Sequence, residues 1–155
     1  MSPNPDPAGC PVFSVVGDRY IFFVTGAQSD GAYAVLEAHV PPGGGPPPHV
    51  HRREDESFQV IAGEFEFTVD GTPVRVGPGE FLFARRDVLH HFKNVGPTDG
   101  RMLITLTPGG LEGFFAEIGT RLQGRDDAPV PPTVDAIARL LQAAPNYGLE
   151  VPAPP

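Results

Sequence analysis

Two histidines one residue apart, His49 and His51, precede a carboxylate, Glu56, within the segment GGGPPPHVHRREDESFQVIAG at positions 43 to 63. On an extended strand alternate side chains share a face, so the two imidazoles project the same way. Four residues separate His51 from Glu56, enough for the strand to bend and bring the carboxylate beside both rings. Two imidazoles and a carboxylate on one surface suit iron(II) or a neighbouring divalent metal. His90 is a fourth candidate further along the chain.

Short strands must position these groups. The alternation of apolar and polar residues predicts strands at 19–25, 33–40, 56–62, 64–69, 72–76, 81–84, 89–94 and 102–106. In the fourth, Phe65, Phe67 and Val69 alternate with Glu64, Glu66 and Thr68, and Asp70-Gly71 then supplies a hairpin turn. The PPGGGPPP run at 41–48 removes ladder donors, so it is a stiff loop leading into His49. After residue 108 the period changes. Leu111, Phe114, Phe115, Ile118 and Leu122 fall at helical spacing, and a second helix starts at Thr133 with Val134, Ile137, Leu140 and Leu141 on one stripe. Both helices are expected outside a barrel or over one of its ends.

The 155 residues suffice for one domain with a core. A net charge of -8 argues against nucleic acid or an anionic membrane surface as partner, and leaves a small-molecule site open. The 20 prolines and 19 glycines cluster between short apolar runs, the pattern of a sandwich or barrel with many turns. Positions 1–11 read as a loosely held arm in which Cys10, the single cysteine, is a bystander. That arm lacks the basic segment and apolar core of a secretory signal, which makes a cytoplasmic location the expectation.

The spacing of these residues resembles the cupin superfamily. The first cupin motif runs glycine, five residues, HxH, three or four residues, Glu, six residues, Gly; Gly43, His49, His51, Glu56 and Gly63 meet it. The second runs glycine, five residues, PxG, two residues, His, three residues, Asn. Gly79, His90 and Asn94 meet it, while Arg85 and Asp87 stand where Pro and Gly are usual. Fifteen residues, 64 to 78, separate the motifs, as in microbial single-domain cupins.

The resemblance implies a mainly β fold, the cupin double-stranded β-helix or jelly-roll β-barrel, at 12–107, with a C-terminal helical segment and Pro-rich tail at 108–155. It also implies four metal ligands, His49, His51, Glu56 and His90, holding one divalent transition metal (Fe, Ni, Co, Mn, Cu or Zn). The chain looks most like the single-domain quercetin 2,3-dioxygenase-like proteins. Glu56 would then be both ligand and catalytic base, with a small aromatic or enolic substrate and dioxygen as partners. Phe58 and Phe92, each two residues from a ligand on the same face, are the candidate substrate-pocket residues.

Fold alone does not fix activity, so two other classes stand beside this one. One is a non-redox isomerase, decarboxylase or lyase, with Arg85 or Arg101 holding an acid at the mouth. The other is a binding cupin without catalysis. His39 is expected to be solvated or hydrogen-bonded, His91 to face away from His90, and Glu54 and Asp55 to be solvent-exposed beside Arg52 and Arg53. A homodimer formed through the arm and the C-terminal helices is the expected assembly.

Overall fold

The structure, a computed structural model, describes residues 9–155, so most of the arm expected at 1–11 lies outside the described residues. At its end Cys10 is buried and packs with Val12 and Ile21, a correction to its reading as a bystander in a loose segment.

The strands are β1 (Val12–Val15), β2 (Asp18–Val24), β3 (Ala34–Val40), β4 (Val50–His51), β5 (Asp55–Ala62), β6 (Phe65–Val69), β7 (Thr72–Val76), β8 (Phe81–Ala84), β9 (His90–Asn94) and β10 (Gly100–Thr107). Helix α1 (Glu112–Ile118), β11 (Thr120–Arg121), α2 (Val134–Ala143), a 3-10 turn at Ala144–Tyr147 and β12 (Leu149–Glu150) follow. One sheet runs β11-β1-β2-β3-β10-β5-β8 and another runs β7-β6-β9. The pair β12-β4 joins the second through a bridge between His49 and His90. Every named strand pairing is antiparallel. This mainly β architecture is the one that the cupin resemblance implies.

The two sheets share one core. Phe58 of β5 meets Phe67 of β6 and Phe92 of β9 at ring centroid separations of 4.9 and 5.8 Å. The alternation read in the sequence decides which residues enter it: Phe65 and Phe67 on β6, and Met102, Ile104 and Leu106 on β10. Burying each such side chain is worth about 1.5–3 kcal/mol. Several inward positions break the apolar rule, Glu56 and His90 among them. Glu56 on β5 precedes Phe58 and Val60 on the same face, and His90 on β9 precedes Phe92 and Asn94.

Turn chemistry follows the expected pattern at Asp70-Gly71, where φ values of 49° and 79° close the β6–β7 hairpin. In the loop before His49, Gly45 lies so close to the Phe92 carbonyl that any Cβ would overlap it.

The helices differ from expectation in two respects. Helix α1 stops at Ile118 rather than reaching Leu122, because the chain must then pass along β1. A Cβ at Gly119 would lie 2.8 Å from the Ser14 carbonyl oxygen, and β11 pairs with β1 immediately beyond. Helix α2 begins where expected, the Thr133 Oγ1 accepting from the Ala136 N–H at 3.1 Å. Of its apolar stripe only Leu140 is buried; Val134 (83% exposed), Ile137 and Leu141 face outward. Among the described residues no helix is long and apolar enough to cross a membrane.

Candidate metal centre

His49 and His90 face each other as a backbone pair, each N–H donating to the other's carbonyl at 3.1 and 3.0 Å. His51 lies on β4, held by β12 on one side and by the Asp87 N–H, which donates to the His51 carbonyl at 2.8 Å, on the other. Asp87 adopts φ 69°, so it supplies the left-handed turn for which glycine is usual in the second motif. Aspartate tolerates that region better than most residues. Its carboxylate also pairs with Arg52 at 3.0 Å. Glu56 comes from β5, in register with Ala84 on β8 and Leu106 on β10.

These elements bring His49, His51, Glu56 and His90 together, with one potential ligand atom from each lying within 4.8 Å of the others. The Glu56 Oε2 is 3.0 Å from both the His51 Nε2 and the His90 Nε2. Backbone carbonyls fix two of the rings. The His49 Nδ1 lies 2.8 Å from the Pro47 oxygen and the His90 Nδ1 lies 3.0 Å from the Val88 oxygen. A carbonyl only accepts, so both Nδ1 atoms carry the proton; the His49 Nε2 is left for a ligand, and the His90 Nε2 is hydrogen-bonded to the Glu56 Oε2 at 3.0 Å. The His51 Nε2, though close to Glu56, lacks hydrogen-bond alignment, and neither of its ring nitrogens has a hydrogen-bond partner among the described residues.

Three nitrogens and one carboxylate, with a buried imidazole left unsatisfied, fit a divalent transition metal. Burial first, and then the neighbouring His51 and His90, lower His49 to about 3, so its ring is neutral at pH 7. For His51 burial acts downward, but the Glu56 and Glu54 carboxylates outweigh it and raise the ring to about 9. For Glu56 burial acts upward; His51 and His90 outweigh it and hold the carboxyl well below its usual range.

Glu54 corrects an expectation. It is buried, not solvated, with its Oε2 3.5 Å from the His51 Nδ1. Asp55 is half-buried and ion-paired with Arg86 at 3.2 Å. The His39 Nε2 donates to the Glu37 carboxylate at 2.6 Å while its Nδ1 accepts from Arg19 at 3.1 Å, and His91 is only half-buried.

A cavity of about 70 Å³ adjoins the cluster. His49, His51 and Glu56 line it, with Phe92, Asp18 and Tyr20. Its outer wall includes Phe114 and Phe115 of α1 and Leu140, Leu149 and Val151 further on, so the C-terminal elements pack over the site. Phe92 lines this cavity. Phe58 does not: it is buried behind the cluster, its ring centroid 6.2 Å from that of His90, and is not among the lining residues. Arg85 and Arg101 lie outside the cavity, and no Lys or Arg is found among the described residues that line it.

Asp18, Tyr20 and Glu54 escaped the sequence reading. Glu54 is hidden in the charged run HRREDE, where nothing distinguishes a buried carboxylate from a solvated one. Asp18 and Tyr20 carry a signal: with Phe22 they occupy alternate positions on β2, so a carboxylate stands on a face reserved for the core.

Comparison with known proteins bears on the family and the fold. Residues 36–106 match the family model described as a cupin domain. A quercetin 2,3-dioxygenase of Bacillus subtilis is 27% identical over 127 residues, covering 82% of this chain and 37% of that protein. A quercetin 2,3-dioxygenase of Aspergillus japonicus is 28% identical over 121 residues, covering 74% of this chain and 34% of that protein. The chain thus spans about a third of the length of these curated relatives. An RmlC-like cupin from Shewanella frigidimarina superposes with a TM-score of 0.61 at 18% identity, over 73% of this chain and 96% of that one.

Proposed function

Taking as premise that the chain belongs to the cupin superfamily, we propose that it is a metal-dependent enzyme of the dioxygenase type acting on a small aromatic enol. The observation behind this reading is the placement of four ligand atoms, within 4.8 Å of one another, against a cavity whose remaining walls are mainly apolar. His49, His51, Glu56 and His90 would hold one divalent transition metal, of which Fe, Ni, Co, Mn, Cu and Zn all suit the donor set. When bound, that metal would supply Lewis-acid activation and a template that orients the substrate.

The chain's own residues supply the rest. Glu56 stays anionic because His51 and His90 stabilise its charge, so it can take the enol proton at a carboxylate oxygen. Phe92 offers a ring face to an aromatic substrate. The apolar wall from α1 and β12 keeps water from the reacting groups. A cavity of about 70 Å³ is below the roughly 300 Å³ at which ligand pockets begin, so a flavonol enters only if the C-terminal wall yields. Single-ring enols are the better fit.

The non-redox reading needs a cation at the mouth, and neither Arg85 nor Arg101 provides one in the cavity. The assembly we propose is a cytoplasmic homodimer, for which the outward stripe of Val134, Ile137 and Leu141 on α2 offers a surface. The test is oxygen uptake by metal-loaded protein on a panel of flavonols and single-ring enols, against a Glu56→Gln variant. Uptake lost in the variant supports the reading; metal-loaded wild type that consumes no oxygen on any enol overturns it.

A further inference from the structure

Among the described residues that line the cavity, Asp18 and Glu56 are the only acids. Asp18 is 2% exposed, and its Oδ1 has no hydrogen-bond partner among the described residues. Burying a carboxylate is costly unless something is gained. The fold gains little from this one. The turn before it is made by Val16 and Gly17, whose own φ values of 49° and 89° close the β1–β2 hairpin. The adjacent Arg19 turns away, donating to the Asp127 carbonyl at 2.7 Å and meeting His39.

Beside Asp18 on the same face of β2 stands Tyr20, whose hydroxyl interacts with the carboxylate. The Tyr20 ring is itself fixed by a stack on Phe115, centroids 4.8 Å apart and planes within 9°. Gly44 leaves space for the free oxygen, since a Cβ there would come within 2.8 Å of the Asp18 Oδ1. A carboxyl group thus lines a mainly apolar cavity, with its Oδ1 unengaged and close against Gly44. In such surroundings a single hydrogen bond counts for more than it does in water.

We propose that Asp18, with Tyr20 beside it on the cavity wall, is a second polar anchor of the cavity, recognising a hydroxyl group on a small enolic ligand whose enol oxygen lies at the histidine cluster. The proposal rests on the reading of the cavity as the substrate site of a metal-dependent enzyme. A hydroxyl suits the place because it donates and accepts. Burial raises the Asp18 carboxyl to about 7, against the lowering effect of the Tyr20 hydroxyl, so both protonation states are within reach near neutrality.

The experiment compares two single-ring hydroxypyranones, kojic acid and allomaltol, binding to metal-loaded protein by calorimetry. They share the enolone group and differ by one side-chain hydroxyl. Wild type is expected to favour kojic acid. Asp18→Leu is expected to lose about tenfold or more in affinity for kojic acid and less than about twofold for allomaltol, with Tyr20→Phe intermediate. The melting temperature of metal-free Asp18→Leu is expected to equal or exceed that of wild type, because a buried, under-satisfied carboxylate has been removed. Wild type that binds both probes equally, or variants that lose both equally, overturns this proposal alone. So does a marked fall in melting temperature, which would make Asp18 structural. Failure of metal-loaded wild type to bind either probe overturns the proposal together with the enol reading beneath it.

Discussion

The backbones of His49 and His90 are tied to each other by reciprocal hydrogen bonds of 3.1 and 3.0 Å, so two candidate ligands from distant parts of the chain share one local frame. Those bonds do not involve the imidazoles. The His90→Ala protein should therefore keep its fold while losing at least about tenfold in metal affinity. Circular dichroism and a competitive chelator titration check the two halves; unchanged affinity would remove His90 from the ligand set.

Metal-free protein should lose stability as pH rises from about 6.5 to about 9. His51 has a folded value of about 9 against an ordinary 6.5, so in that window the folded state holds a proton that the unfolded state has released. The contribution is fully present below 6.5 and vanishes above 9, on the order of 3 kcal/mol. Asp18, raised to about 7, acts in the same sense at lower pH, its share being lost between its ordinary 3.8 and 7. Bound metal takes the place of the His51 proton, so the loaded protein should lack the alkaline slope. Thermal melts at pH 6.5 and 9, with and without metal, make the comparison.

The two phenylalanines singled out in the sequence should separate experimentally. Phe58, buried at 1% exposure among Phe67, Phe92 and His90, should cost about 3–5 kcal/mol of stability on truncation to Ala. Phe92 lines the cavity as well as the core, so a Phe92→Leu change should raise KM for an aromatic enol several-fold at a smaller loss of stability. Denaturant melts beside steady-state kinetics would show the split.

Widening the cavity should shift selectivity towards larger substrates. Val151 lines the wall but is only half-buried, so Val151→Ala should cost about 1 kcal/mol or less while enlarging the space. The ratio of kcat/KM for a flavonol to that for a single-ring enol is expected to rise, and an unchanged ratio would mean that the C-terminal wall does not limit access.

Much of this was legible in the residues. Alternation placed Phe65, Phe67, Met102 and Leu106 inside, because on a strand the period of two decides burial. Spacing brought His49, His51, Glu56 and His90 into consideration because metal ligands must share a face. The short strands β4, β11 and β12 were not legible, since two residues carry no period and their pairing is decided by distant chain. Nor was the burial of Glu54, which depends on β4 turning its charged neighbours Arg52 and Arg53 outward. The exposure of Val134 and Leu141 was missed because an amphipathic stripe shows that a face is apolar without showing what covers it. Phe58 was assigned to the cavity because it shares a strand face with Glu56, but that face continues from the site into the core.

The most direct test is elemental analysis of protein purified without added metal, with a His49→Ala/His51→Ala double variant treated in parallel. Close to one divalent transition metal per chain in the wild type, and little in the variant, is the expected result. Wild type that carries none, and takes none up on reconstitution, would contradict the metal centre and leave the cavity as a binding site without catalysis.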